Sequence, residues 1–198
     1  MEDSVLEEIL ERVIVFADQA HGEQKRKYAN ERYINHPLRV MATCRQYTSD
    51  VTILSAALLH DVLEDTATTK KQIADFLSGF MTKTQVIKTV KIVEELTDIY
   101  IKATFPDLKR KIRKIKEAER LALVSPEAQM IKYADIIDNT DVTFQDPDFA
   151  IVFIPECRMI LGKTTKGNQE LYHRAINIVE KCQQLLQDRK ALQVQSPL

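Results

Sequence analysis

The run Ile53-Leu-Ser-Ala-Ala-Leu-Leu59 is apolar on every side but for one serine, and it leads directly into His60-Asp-Val-Leu-Glu-Asp65. A segment that is apolar all round belongs inside a core. The fold must therefore bury this stretch and also find partners for the imidazole and three carboxyl groups at its end. A carboxylate buried without a partner neutralises itself or takes a cation. Read as one continuous helix, the segment stacks His60 over Glu64 and Asp61 over Asp65. A divalent metal is the natural counter-charge, and the competing reading is a solvated acidic helix end with an incidental histidine.

Four glycines, six prolines and no tryptophan in 198 residues leave few turn residues for a many-stranded protein. Long Ala/Leu/Ile/Lys/Glu stretches predict an all-α, multi-helix fold in a single domain. The formal net charge of -1 gives no reason to expect nucleic acid or an acidic membrane as partner. Cys44, Cys157 and Cys182 are far apart and in no Cys-x-x-Cys spacing, so they read as reduced structural thiols. The acidic N-terminus lacks the apolar stretch of a signal peptide, and no apolar run reaches the roughly 18 residues of a membrane span. A cytoplasmic location is expected.

Taken in order, Ser4 to Glu7 fits a capping box that opens a first helix to about His21. A polar loop carrying Lys25, Arg26 and Lys27 follows. Pro37 suits a first helical position, which puts His36 at the mouth of a second helix. Asp50 suits the N-cap of the third, whose stripe holds Ile53, Ala57, His60 and Glu64. Further helices are expected over Lys70 to Phe80 and Lys83 to Leu96, then a loop from Thr97 to Leu108 and a basic helix from Lys109. Ser125-Pro126-Glu127 is a strong helix start, and its helix places Ile131, Asp135, Asn139 and Val142 on one stripe. Pro155 is read as opening a short helix to Leu161. A long last helix precedes a tail expected to be disordered from about residue 190.

Three helices thus offer His36, His60-Asp61 and Asp135 at inward positions. Two imidazoles and two carboxylates suit a borderline-hard divalent ion, manganese, iron or zinc, with positions left for water and substrate. The absence of thiolates points to an open catalytic site over a closed structural one.

The order His36, His60-Asp61, Asp135 resembles the HD phosphohydrolase superfamily, and the surroundings sharpen the likeness to the RelA/SpoT-like hydrolases. Ala20-His21-x-x-Gln24-x-Arg26-Lys27, Tyr33-Ile34-x-His36-Pro37-Leu38-x-Val40, Ala56 to Thr66, Glu95-Leu96-Thr97-Asp98 and Ile131-Lys132-x-Ala134-Asp135-x-x-x-Asn139 resemble that family's blocks, in its order. The length is that of the small single-domain members, which include the metazoan SpoT homologue. The resemblance implies that His36, His60, Asp61 and Asp135 bind one manganese ion and that Glu64 and Asp65 position or deprotonate the attacking water. It implies a nucleotide substrate, ppGpp or pppGpp, cleaved to GDP or GTP and pyrophosphate. Within it Arg26 and Lys27 meet pyrophosphate oxygens, Asn139 and Tyr33 contact substrate, and the basic run from Lys109 supplies further charge.

Two positions depart from the pattern. Ile136 stands where a basic residue is usual, and Asp141 replaces an arginine, which bears on the 5′ phosphates. Two other readings keep the site and change its use: a phosphatase acting on another nucleotide, such as the 2′-phosphate of NADPH, and a nucleotide-sensing module without turnover.

Overall fold

The described residues, 2–27, 29–143 and 146–195 of a computed structural model, are helical, with no strand beyond an isolated antiparallel bridge between Lys25 and Arg32. The helices are α1 (Glu2–His21), α2 (Asn35–Arg45), α3 (Val51–Leu59), α4 (Val62–Asp65), α5 (Lys70–Leu77), α6 (Lys83–Leu96), α7 (Arg110–Leu121), α8 (Pro126–Thr143), α9 (Pro147–Leu161) and α10 (Gln169–Gln195). None is long and apolar enough to cross a membrane among the described residues.

α3 is the centre. Every residue from Thr52 to Leu59 is buried, as its unbroken apolar character requires, and α1, α2, α6 and α8 surround it. Asp50 starts it, its carboxylate accepting from Thr52 N at 2.8 Å. On the far side α8 packs against α2 and is backed by α9 and α10, so the residues α8 presents to α3 lie deep in the molecule. The helices α5 and α6 open with reciprocal capping boxes, Thr69 with Gln72 and Thr82 with Gln85, each satisfying two otherwise free amide donors.

Several boundaries differ from expectation for identifiable reasons. The first helix begins at Glu2, so Ser4 lies inside it and caps nothing. The second begins at Asn35, which puts Pro37 in the first turn, where a missing N–H still costs no helical bond. The helix ending at Leu161 starts at Pro147, not Pro155. Asp146 caps it, accepting from Phe149 N at 3.1 Å, and Asp-Pro is the stronger start signal because cap and first position are both supplied. Pro155 then sits inside the helix, and the carbonyl it leaves without a donor belongs to Ile151, a 61% exposed residue within reach of water. The last helix continues to Gln195, past the expected start of a disordered tail, and residues 196–198 lie outside the described ones.

α8 is locked in place by Tyr133, which is fully buried. Its hydroxyl donates to Thr164 O at 2.7 Å and accepts from Gly167 N at 3.2 Å. A Cβ on Gly167 would lie 2.6 Å from Tyr133 Cε2 and 2.9 Å from Met130 N. Gly167→Ala is therefore expected to cost about 1–3 kcal/mol by overpacking, read as a lower urea midpoint with an unchanged slope. A wild-type midpoint would show that the connector can back away from α8.

Candidate active site

The expected single helix through Glu64 is two helices, with His60 and Asp61 at the break. His60 keeps helical torsions, and Asp61 relaxes to φ -96°, ψ -6°. The Asp61 carbonyl then accepts from both Glu64 N at 3.2 Å and Asp65 N at 2.9 Å, which restarts the coil as α4. On an unbroken helix adjacent side chains diverge by about 100°. Here His60 Nε2 and Asp61 Oδ2 are 3.1 Å apart, so neighbours in sequence serve one site.

His36 enters from the first turn of α2 and is fully buried. Its Nδ1 is 2.7 Å from Asp138 Oδ2, and its Nε2 is 3.2 Å from Asp135 Oδ1 and 3.4 Å from Asp61 Oδ2. His60 Nδ1 donates to Ala57 O at 2.8 Å. A carbonyl only accepts, so that nitrogen carries the proton in neutral imidazole and Nε2 carries the lone pair. Both Nε2 atoms are buried without a hydrogen bond. Donor atoms of His36, His60 and Asp135 all lie within 4.8 Å of one another. Two imidazole nitrogens facing a carboxylate, each held from behind through Nδ1, are a donor set that fits a divalent ion. Asp61 adjoins the group through Oδ2, which also accepts from Tyr33 Oη at 2.7 Å.

The electrostatics follow from crowding charge out of water. Burial lowers the His36 pKa, but Asp135, Asp138 and Asp61 around the ring outweigh it and raise it to about 10. Burial likewise opposes a charged His60, and the Asp61 carboxylate overrides it. Asp61 and Asp135 feel burial upward, yet His60 holds the first, and Lys132 with His36 the second, well below the usual carboxylate range. Lys132 Nζ sits 2.8 Å from Asp135 Oδ2. Burial and the Asp61 charge keep the Tyr33 phenol protonated and so a donor. Glu64 behaves oppositely: although the residue is exposed as a whole, loss of water around its carboxylate and the nearby Asp98 charge push it up to about 7, the range a general base needs near neutral pH.

These groups line a cleft of about 210 Å³ together with Arg26, Asp65, Leu96, Asp98, Lys114 and Asn139. Arg26 and Tyr33 arrive on the loop after α1. Gly22, at φ 55°, turns the chain out of that helix, and Arg26 N to Glu31 O at 3.1 Å and Tyr33 N to Gln24 O at 2.9 Å pinch the loop shut. Tyr33 stacks on His21 at 4.5 Å, and the Arg26 guanidinium lies 5.7 Å from the Tyr33 ring centroid. Arg26 donates to Asn139 Oδ1 at 2.6 Å, and Asn139 Nδ2 donates to Asp135 Oδ1.

The structure thus brings together twelve of the residues singled out in the sequence as blocks or ligands: Arg26, Tyr33, His36, His60, Asp61, Glu64, Asp65, Leu96, Asp98, Lys132, Asp135 and Asn139. Lys27 and Lys109 are exposed and do not line the cleft. Lys109 precedes α7, and it is Lys114, a turn into that helix, that reaches inward. Lys132, Lys114 and Asp138 were given no individual role by sequence reasoning. Asp138 had a signal: it follows Asp135 by three positions on the same helix face. Ile136 is 2% exposed and packs in the core, so its departure from a basic residue is absorbed by burial. The Asp141 side chain lies outside the described residues.

Asp138 also takes Arg39, whose Nε reaches Oδ1, so one carboxylate fixes both an imidazole and a guanidinium. Asp138→Asn is expected to weaken divalent-metal binding by about 10–100-fold, measured by competition with a chelating dye. Unchanged affinity would mean that Asp138 serves Arg39 alone.

Residues 33–140 match the family model of the HD domain. The guanosine-3′,5′-bis(diphosphate) 3′-pyrophosphohydrolase of Aquifex aeolicus is 32% identical over 161 residues, 80% of this chain and 20% of that protein. The enzyme of the same description from Mus musculus, MESH1, is 35% identical over 127 residues, 63% of each chain. The alignments thus span less than two thirds of these relatives. A solved structure of a metazoan SpoT ortholog that hydrolyses ppGpp superposes with a TM-score of 0.65 at 22% identity, covering 87% of this chain and 94% of that one, a likeness of fold. The HD-domain match begins at Tyr33 and ends just past Asn139, so it takes in all three helices that supply the facing imidazoles and carboxylates, and the chain belongs to the HD domain family.

Proposed function

We propose that the protein is a metal-dependent hydrolase that removes the 3′-pyrophosphate of ppGpp or pppGpp, giving GDP or GTP and pyrophosphate. The carrying observation is the pair of buried Nε2 atoms of His36 and His60, both without a hydrogen bond and both facing Asp135. The relatives named as guanosine-3′,5′-bis(diphosphate) 3′-pyrophosphohydrolases support the substrate.

In this reading His36, His60, Asp61 and Asp135 hold one divalent ion, with manganese the first candidate for an N/O donor set without thiolates and iron or zinc the others. A bound ion of this kind supplies an acidified water and polarises the phosphoryl oxygen it touches. Glu64 is the base. Its Oε2 accepts from Asp98 N at 2.9 Å, which leaves Oε1 to receive the proton. Asp65, next to it on the cleft wall, orients the same water. Arg26 offers a guanidinium fork to the pyrophosphate, and Tyr33 keeps Asp61 oriented while its ring backs Arg26. Asn139 holds Arg26 on one side and Asp135 on the other. Lys114 takes the role of basic contact expected of Lys109.

The test is incubation of the purified protein with manganese and ppGpp, pppGpp, NADPH and simple nucleotides, with products identified by chromatography. Pyrophosphate appearing with GDP from ppGpp supports the reading. Orthophosphate released from NADPH alone would overturn it in favour of a phosphatase, and no turnover by metal-loaded protein would favour a sensor.

A further inference from the structure

The candidate base is aimed from outside its own helix. The bond from Asp98 N to Oε2 is the side-chain hydrogen bond of Glu64 among the described residues, so the placing of the Asp98 amide decides where the Glu64 carboxylate points. Asp98 lies just past α6, in an irregular connection where the amides of residues 98–100 are bonded to side-chain carboxylates.

Two side chains of α7, neither of them on the cleft wall, hold that connection. Glu117 is 1% exposed. Its Oε2 accepts from Ile99 N at 3.1 Å and Tyr100 N at 2.9 Å, and its Oε1 accepts from Arg120 Nε at 2.6 Å. Arg120 in turn donates to Glu95 O at 2.8 Å and Thr97 O at 3.2 Å. The pair therefore grips the backbone on both sides of Asp98, and Lys114, from the same helix, takes Asp98 Oδ2 at 2.9 Å. Taking both ions out of water is costly, and a buried ion pair bonded only to itself could be replaced by apolar side chains of similar volume. What only the ion pair can do is satisfy those two amides and two carbonyls in one geometry.

Building on the proposed function, we infer that Glu117 and Arg120 are positioning residues that hold the Asp98 amide against Glu64 and so keep the base aimed into the cleft. The paired substitution Glu117→Met with Arg120→Met separates this role from a structural one. It is expected to lower the urea midpoint, since two amides and two carbonyls lose their partners, while the protein stays folded and its manganese content is unchanged. Amide exchange at residues 98–100 should quicken at least about tenfold, and kcat on ppGpp should fall about tenfold or more with KM within about twofold, as for a misplaced base. Glu117→Gln, which keeps the shape but turns an N–H toward Arg120 or the loop, should give the same pattern and covers the case in which the double variant misfolds. Wild-type exchange, or quickened exchange with wild-type kcat, overturns the inference. So does a loss of kcat accompanied by a raised KM or by lost manganese. If the wild-type protein hydrolyses nothing, the proposed function fails, and exchange at Asp98 still decides whether the clamp exists.

Discussion

Glu64→Ala protein is expected to bind manganese as tightly as the wild type and to turn over ppGpp about 10²–10⁴-fold more slowly, the usual contribution of a positioned base. The separation follows from geometry. Glu64 is bonded to Asp98 N, and among the described residues no hydrogen bond or ion pair joins it to the facing imidazoles, whereas the metal-side atoms belong to His36, His60 and Asp135. Burial and the Asp98 charge already hold the Glu64 carboxyl near 7, so alanine removes the group whose basicity suits proton transfer near neutral pH. Single-turnover kinetics at saturating metal, with metal content determined on the same sample, check this. Wild-type turnover would sink the assignment of the base.

Asp135→Ala is expected to do the reverse, losing the ion and activity with it. Asp135 Oδ1 is the oxygen that faces both Nε2 atoms, at 3.2 and 3.9 Å, while Oδ2 is taken by Lys132. Alanine removes the charge that offsets the ion and leaves Lys132 without its closest carboxylate partner, a cation beside the site that repels a second one. Metal affinity should fall by more than the roughly 10–100-fold expected for an outer partner such as Asp138. Metal retained by dialysed protein reads this out. Stoichiometric retention would mean that Asp135 is there to pair Lys132, and that the ion, if any, sits elsewhere.

Much of this was legible in the sequence because the relevant signals are local. The helix starts at Asp50 and Ser125 are each written in one cap residue, and the burial of α3 is written in seven consecutive side chains. The inward placing of Asp135 follows from the Ile131 stripe. The break at His60 was not legible, since both torsions remain nearly helical and what changes is the single carbonyl of Asp61 serving two amides. Nor was the partner of Glu64, because a backbone N–H carries no residue identity and Asp98 comes from an irregular connection. Basic runs are ambiguous for another reason: α7 is basic around much of its circumference, and only its rotation against the core decides that Lys114, and not Lys109, faces the cleft.

The ligand group is also a statement about folding order. Arg26 and Asn139 are 113 residues apart in the chain, and His36 and Asp138 are 102 apart. No fragment that lacks either the first loop or α8 can assemble the site, and contacts at such separation form late and slowly compared with helix-local ones. An ion held there therefore distinguishes the finished protein from every form in which the first loop or α8 is out of place. At a free concentration one hundred times its Kd it would add about 2.7 kcal/mol to global unfolding. To the local opening of a helix that contributes no ligand, such as α5, it would add nothing.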